Sequence, residues 1–323
     1  MSKYRIEKIG AAQFDLLIPL MKDCFSMDVN LQYFLWKYID NPAGSFIGFI
    51  AVDNETNEVG AYYGVIPQKF VIDGKEQLIY QSCDTMTHSK HRRQGLFKML
   101  AMTCYEELRK EGKLFIIGFG GADSTPGFLK FGWKHVFNFR YYFKPAVSCK
   151  LAIFKNYPAE CFTENDIESN LQSLLPKRTG ASLIHSARTK EHILWRSQNN
   201  NYTYKFVFFR QNGDVQGYAL YYVQDNKLIL FDFIFSNKKS GKAILWFLSK
   251  KVNKENYRGI IAYCQEDGLF ANELKQHGFI SNPFSKGPLK ERTPFIFYST
   301  PELMEKYAAA AQWQITSYDH DAL

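Results

Sequence analysis

The run Asp84-Thr85-Met86-Thr87-His88-Ser89-Lys90-His91-Arg92-Arg93-Gln94-Gly95-Leu96-Phe97 concentrates the residue types that could do chemistry in this chain. An apolar stretch ends there, a basic loop with a single glycine follows, and apolar residues at helical spacing begin at once. A helix start leaves its first backbone N–H groups without internal partners and carries the positive end of the helix dipole. Such a place suits a diphosphate. Gly95 lets a ligand approach the backbone with no Cβ in the way, and Arg92 and Arg93 can add charge-assisted contacts to phosphate oxygens. Taken alone, a basic loop with one glycine is more often a solvated turn. His88 and His91 flank it, where phosphate contact or solvation suits them better than catalysis. Asp84 either deprotonates an attacking ammonium, directly or through water, or is an ordinary structural aspartate at a strand end. Cys83 and Cys104 fall in a strand pattern and on an apolar helix face, with no histidine at a spacing that would activate either as a nucleophile.

The elements that must position this loop are legible around it. Residues 46–52 and 59–66 read as strands, 70–72 and 77–79 flank an Asp73-Gly74 hairpin signal, and 80–87 reads as a further strand. Phe97, Leu100, Ala101, Cys104, Tyr105 and Leu108 have the spacing of one helix face, with Gly112 as its stop. Residues 114–119 resume as a strand, 120–127 form a Gly/Asp/Ser/Pro loop, and 139–143 are a closing strand.

The second half repeats the plan. Leu35-Trp36-Lys37 with Asn41 matches Leu194-Trp195-Arg196 with Asn200 at the same spacing, and Gly95 to Gly132 spans the same 37 positions as Gly241 to Gly278. Trp36 and Trp195 read as buried helix anchors and as signs of duplication, not of catalysis. Lys238-Lys239-Ser240-Gly241-Lys242-Ala243 is a loose echo of the basic loop and reads as a solvated helix start.

Arg92-Arg93-Gln94-Gly95-Leu96-Phe97 resembles the R-x-x-G-x-G/A pyrophosphate loop of the GNAT acetyltransferases, and Phe128-Leu129-Lys130-Phe131-Gly132-Trp133 resembles their later Y-x-K-x-G-F segment. Both come in the family's order and spacing. The resemblance implies a twisted mixed sheet whose two central strands, here 80–87 and 114–119, splay apart around a pantetheine arm. It implies that backbone groups of Asp84, Thr85, Met86 and Thr87 face that arm, that Arg92, Arg93, Gln94, Gly95, Leu96 and Phe97 hold the diphosphate of acetyl-CoA, and that Ser124 lines the groove. Phe97 stands where the family has a small residue. Phe128 stands where many members place the tyrosine that protonates the departing thiolate, and a phenyl ring cannot donate a proton. Another group, or water, then serves, or the thiolate leaves unaided.

The expected fold class is α/β with a mixed, mostly antiparallel sheet, as two tandem GNAT-like domains: residues 1–148 with the acetyl-CoA loop and 149–323 as a degenerate second copy that walls the acceptor site. The expected activity is transfer of acetyl from acetyl-CoA to a primary amine of a small polar acceptor, such as an amino sugar, by direct attack and without a metal. Asp84 is the candidate base, and Asp319 and Asp321 either attract a cationic amine or form a frayed acidic tail. A CoA-binding scaffold with decayed catalysis, and a peptidyltransferase-like protein using aminoacyl-tRNA, are the competing readings. Bulk properties bound these expectations. The net charge of +8 has no basic tail or long Lys/Arg run behind it, which weighs against nucleic acid. No stretch is apolar enough for a membrane span, and residues 1–15 lack the apolar core of a secretory signal, so a cytoplasmic location is expected. Six scattered cysteines without a C-x-x-C pair suggest reduced thiols rather than a disulfide or zinc framework.

Overall fold

The computed structural model describes residues 2–150, 157–158, 161–175, 183–284 and 286–320. Its strands are β1 (Tyr4–Lys8), β2 (Ile47–Asp53), β3 (Val59–Ile72), β4 (Lys75–Thr87), β5 (Phe115–Phe119), β6 (Lys134–Pro145), β7 (Phe162–Thr163), β8 (His185–Ser186), β9 (Lys205–Gln211), β10 (Asp214–Gln224), β11 (Lys227–Phe235), β12 (Gly259–Gln265), β13 (Ile280–Ser281) and β14 (Arg292–Ser299). The helices are α1 (Leu17–Phe25), α2 (Leu31–Phe34), α3 (Leu96–Lys110), α4 (Thr125–Lys130), α5 (Ala146–Lys150), α6 (Ile167–Leu174), α7 (Lys190–Ser197), α8 (Lys238–Lys254), α9 (Leu269–Gln276) and α10 (Pro301–Lys306), with a π-helical turn, Leu35–Ile39, directly after α2.

The two short strands expected on each side of Asp73-Gly74 are single long ones. Pro67 surrenders one N–H, yet the β3–β4 ladder runs past it through Pro67↔Tyr80 to the turn. Asp73 and Gly74 both have positive φ, 51° and 74°, the requirement of a two-residue hairpin turn. Helix α3 buries Leu96, Leu100, Ala101, Cys104, Tyr105 and Leu108. It ends in a left-handed cap: Gly112 has φ of 68°, and the Lys113 N–H reaches back to the Leu108 carbonyl at 2.8 Å. The loop expected over 120–127 is shorter than that, because α4 begins at Thr125 with Pro126 in its first turn.

One continuous mixed sheet runs through the described residues, in the order β1-β2-β3-β4-β5-β14-β6-β12-β11-β10-β9-β7, with β8 on β3 and β13 on β6. The halves exchange strands at its centre. Strand β14, from the end of the chain, lies between β5 and β6, while β6 pairs along its other edge with β12. Position 148 falls within α5, and the ladder continues across that point. Tyr62 and Tyr63 point to opposite faces, as neighbours on a strand must. Tyr62 joins the core under α1 and α2, and Tyr63 the core under α3 and α4.

The repeat is visible in three dimensions. Trp36 and Trp195 stack at 5.3 Å, and each indole N–H donates to the other's backbone carbonyl at 2.8 Å. Asn256, with φ of 55°, ends α8 as Gly112 ends α3, with the Tyr257 N–H bonded to the Val252 carbonyl. One part of the register reading changes. Gly95 lies 17 residues before Gly112, and the residue 17 before Asn256 is Lys239, so Gly241 is not the counterpart of Gly95. Gly241 is buried inside α8, where a Cβ would press on the Phe235 ring at 3.1 Å.

Candidate active site

Strands β4 and β5 run parallel but pair only at Tyr80↔Ile116 and Gln81↔Ile117. Beyond Gln81 they separate. Opposite the gap, the β3–β4 register slips between Tyr62 and Gly64, and Asp84 takes a φ of 46°. Such a bulge re-aims the backbone of Asp84 and Thr85. A cleft of about 900 Å³ follows the opening and is lined by Asp84, Thr85, Thr87, Arg92, Arg93, Gln94, Gly95, Leu96, Phe97, Ser124 and Phe128. Among the residues expected here from the sequence, Met86 alone does not line it. Its side chain points to the other face of the sheet, into the core under α1.

The basic loop reaches the cleft through a short 3₁₀ turn, Ser89–His91. Arg93 and Gly95 are both left-handed, with φ of 63° and 76°, and α3 starts at Leu96 with no side chain capping it. The space where a Cβ of residue 95 would lie is open. The leading N–H groups of α3 therefore start at the cleft without a side-chain cap, beside exposed Arg92 and Arg93. A residue outside the motif fixes the loop: Asp23 of α1 accepts from the Ser89 N–H at 2.7 Å and from its hydroxyl at 2.8 Å. Burial opposes ionisation there, yet the two Ser89 bonds, His88 and Arg92 hold the Asp23 carboxyl below its usual range. His91 also lines the cleft and is buried, with Nδ1 3.0 Å from the Tyr4 hydroxyl.

Phe97 and Phe128 pack edge to face at 4.9 Å, and Phe128 lies 4.6 Å from the Trp133 ring. Together they form an apolar wall. The phenols behind it, Tyr63 and Tyr105, lie 3.3 Å apart, Tyr105 accepts from Trp133, and burial raises both well above the ordinary tyrosine range. Asp84 is 8% exposed at its side chain, with one oxygen 2.8 Å from buried Lys37 Nζ and the other accepting from the Tyr38 hydroxyl at 2.6 Å. Cys83 and Cys104 are buried, and burial lifts the Cys104 thiol far from ionisation.

The second half contributes Asn199, Asn201, Thr293 and His320 to the same cleft, residues that the loop motif does not signal. Thr293 comes from β14, and the asparagines follow α7. His320 ends a strap over residues 313–320, with its ring 4.4 Å from Phe119 at the open end of β5. This strap settles the reading of the closing segment. Asp319 is neither a free acid nor frayed: it is buried, ion-paired with Arg188, and accepts from the Thr316 N–H at 2.8 Å. Asp321 lies outside the described residues.

The strap also fills the second half's counterpart of the opening. Strands β11 and β12 pair from Leu228↔Ile260 to Leu230↔Ala262 and then part. Between them Thr316 bridges to Cys264, and the Ser317 hydroxyl donates to the Phe231 carbonyl at 2.6 Å. Asp232 stands three residues before the end of β11, as Asp84 does in β4, and it holds Arg188 and the Tyr218 hydroxyl. Lys238 and Lys239 are exposed at the start of α8, which Asn237 caps through the Ser240 N–H at 3.0 Å.

Residues 5–136 match the family model of the acetyltransferase (GNAT) domain. Over that stretch the first half of this chain is similar to the GNAT acetyltransferases. Solved structures extend the likeness in fold over most of the chain. A probable N-acyltransferase from Enterococcus faecalis superposes with a TM-score of 0.70 at 10% identity, covering 92% of this chain and 72% of that one. A GCN5-related N-acetyltransferase from Anabaena variabilis gives 0.70 at 10% identity over 94% and 75%. The N-myristoyltransferase of Saccharomyces cerevisiae, with myristoyl-CoA bound, gives 0.58 at 12% identity over 93% and 79%. No curated protein matches the chain in sequence. The likeness in fold thus covers both halves, and the half that the family model matches carries the open cleft. Among the described residues, no helix is long and apolar enough to cross a membrane.

Proposed function

We propose that the chain transfers acetyl from acetyl-CoA to a primary amine, using the cleft of the first half. The observation that carries this reading is the convergence of three features: the β4–β5 opening, the uncapped start of α3, and the exposed pair Arg92 and Arg93. The arginines and the leading α3 amides hold the diphosphate. The bulged backbone of Asp84 and Thr85 directs polar main-chain groups at the thioester, where fixed donors stabilise the charge that develops on its oxygen. Ser124 and the Phe97–Phe128 wall line the groove beside it. The second half takes no cofactor, because its opening already holds Thr316 and Ser317 and its helix start is capped by Asn237.

The amine nitrogen attacks the thioester carbon, the C–S bond breaks, and the nitrogen gives up a proton. Both oxygens of Asp84 are already engaged by Lys37 and Tyr38, which suits Asp84 to holding the bulge rather than to meeting the amine. Of the two imidazoles among the described residues that line the cleft, His91 is held by the Tyr4 hydroxyl, whereas His320 lies beside Phe119 at the open end of β5, and imidazole is the side chain suited to taking a proton near neutral pH. The thiolate takes its proton from water. Acetyl-CoA-dependent thiol release with primary amines tests the reading. His320→Gln is expected to lower kcat by ~10²-fold or more while acetyl-CoA still binds. Unchanged kcat would remove His320 from the chemistry. Saturable acetyl-CoA binding with no turnover on any amine would make the protein a CoA-binding scaffold.

A further inference from the structure

The cleft opens on both faces of the sheet, and its far mouth has a chemical character of its own. Helices α3 and α4, with the arginine loop, lie on the face of Tyr63; α1 and α2 lie on the face of Tyr62. On that second face the cleft is lined by Met21, Cys24, Phe25, Met27 and Tyr33. Phe25 and Met27 are 44% and 36% exposed, and together at a cleft mouth they form the kind of apolar surface that marks a ligand groove. Leu16, Leu31 and Ile39 of the same segment are exposed as well.

Charge points the same way. The carboxylates among the described cleft residues are Asp84 and Asp123. Asp84 is neutralised by Lys37, and Asp123 lies in the loop before α4, beside Ser124 on the cofactor side. Asp28, next to Met27 in the chain, is paired with Lys22 at 2.5 Å. A polycationic acceptor would find no unpaired carboxylate among the described residues of this mouth, where the polar groups Asn199, Asn201 and Thr293 come from the second half and the side formed by α1 and α2 is largely apolar. Burial of an apolar body would gain free energy from Phe25 and Met27 at about 25 cal/mol per Å².

We propose that the acceptor is a primary amine carried on an apolar body, an arylalkylamine or alkylamine, seated against Phe25, Met27 and Tyr33 with its nitrogen toward the β4–β5 gap. This mouth fits such an amine better than the amino sugar expected from the sequence. The inference rests on the acetyl-transfer reading and goes beyond it in the substrate class.

Thiol release at saturating acetyl-CoA, with 2-phenylethylamine, glucosamine and spermidine as acceptors, decides it, and acetyl-CoA binding is measured in parallel by calorimetry. The expected result is a kcat/KM for 2-phenylethylamine at least about tenfold above the other two, the order given by ~50 Å² of apolar contact. The double variant Phe25→Ser/Met27→Ser should lower that value about tenfold through KM. Retained acetyl-CoA binding would show that the variant is folded. Equal or better turnover of glucosamine or spermidine overturns the inference, as does a double variant with wild-type KM for 2-phenylethylamine. If acetyl-CoA binds and none of the three is acetylated, the acceptor class is wrong and the cofactor site stands. If acetyl-CoA does not bind, the acetyl-transfer reading itself fails.

Discussion

Phe128 is the residue at which this cleft departs from the pattern its motifs suggest. Its ring packs on Phe97 and Trp133, and the phenols behind it are held neutral by burial. On the acetyl-transfer reading, the thiolate leaves without an acid placed at this position. Loss of a true general acid costs ~10²–10⁴-fold. Phe128→Leu should therefore keep kcat well within that range, and Phe128→Tyr should match or exceed the natural rate. Abolished turnover in Phe128→Leu, with acetyl-CoA binding and fold intact, would contradict this and give the ring a catalytic part. The arginine-loop side of the cleft was legible at this scale because its residues are local: strand end, arginines, glycine and helix start are contiguous in the chain. The far mouth was not, since Asn199, Thr293 and His320 lie from about 100 to more than 220 positions beyond the loop. No periodicity or spacing links Phe119 to His320; the strap that joins them is fixed by long-range contacts. The same holds for Asp84, whose partners Lys37 and Tyr38 come from the turn after α2.

At the scale of elements, the strap over residues 313–320 and helix α7 form one buried polar junction. His192 of α7 hydrogen-bonds to Tyr318, and burial together with Arg196 and Arg188 pushes its imidazole down to about 3. The folded state keeps it neutral, whereas the unfolded chain takes up a proton near the ordinary imidazole value of 6.5. Below that pH the unfolded state binds more protons, so stability falls as the pH drops from about 6.5 toward about 3, by at most ~1.4 kcal/mol per unit from this group. His192→Gln should flatten the dependence of the urea midpoint on pH across this window, whatever it does to stability at neutral pH. Parallel profiles for the two proteins would show that His192 does not set the acid limb. The helices and most strands of the first half were legible from apolar spacing and turn residues. Strand lengths were less so, because the ladder through Pro67 depends on the partner strand rather than on the segment itself.

For the whole molecule, the exchange of β6 and β14 ties the halves together. Strand β14 supplies the partner along β5 that the first half lacks, and β6 supplies the same to β12. The Trp36–Trp195 pair closes the contact near the cleft. Neither half then has a complete sheet alone, and thermal unfolding followed by calorimetry should show one transition for residues 1–323. Two separable transitions would mean that the halves fold independently despite the shared ladder. The repeat was visible in sequence through the tryptophans, whose spacing to the following asparagine is retained. The strand exchange was not, since it pairs segments of each half with the other, and duplication alone does not say which partner a strand will choose.

The central claim is that one acetyl-CoA binds per chain, at the loop of Arg92 to Phe97. Calorimetric titration with acetyl-CoA tests it most directly, comparing the natural protein with Arg92→Ala/Arg93→Ala and with Lys238→Ala/Lys239→Ala. The account predicts a stoichiometry of one, binding weakened by about 1.5 to 3 kcal/mol in the arginine variant, and little change in the lysine variant. A stoichiometry of two, or a silent arginine variant beside a lysine variant that loses binding, would contradict it.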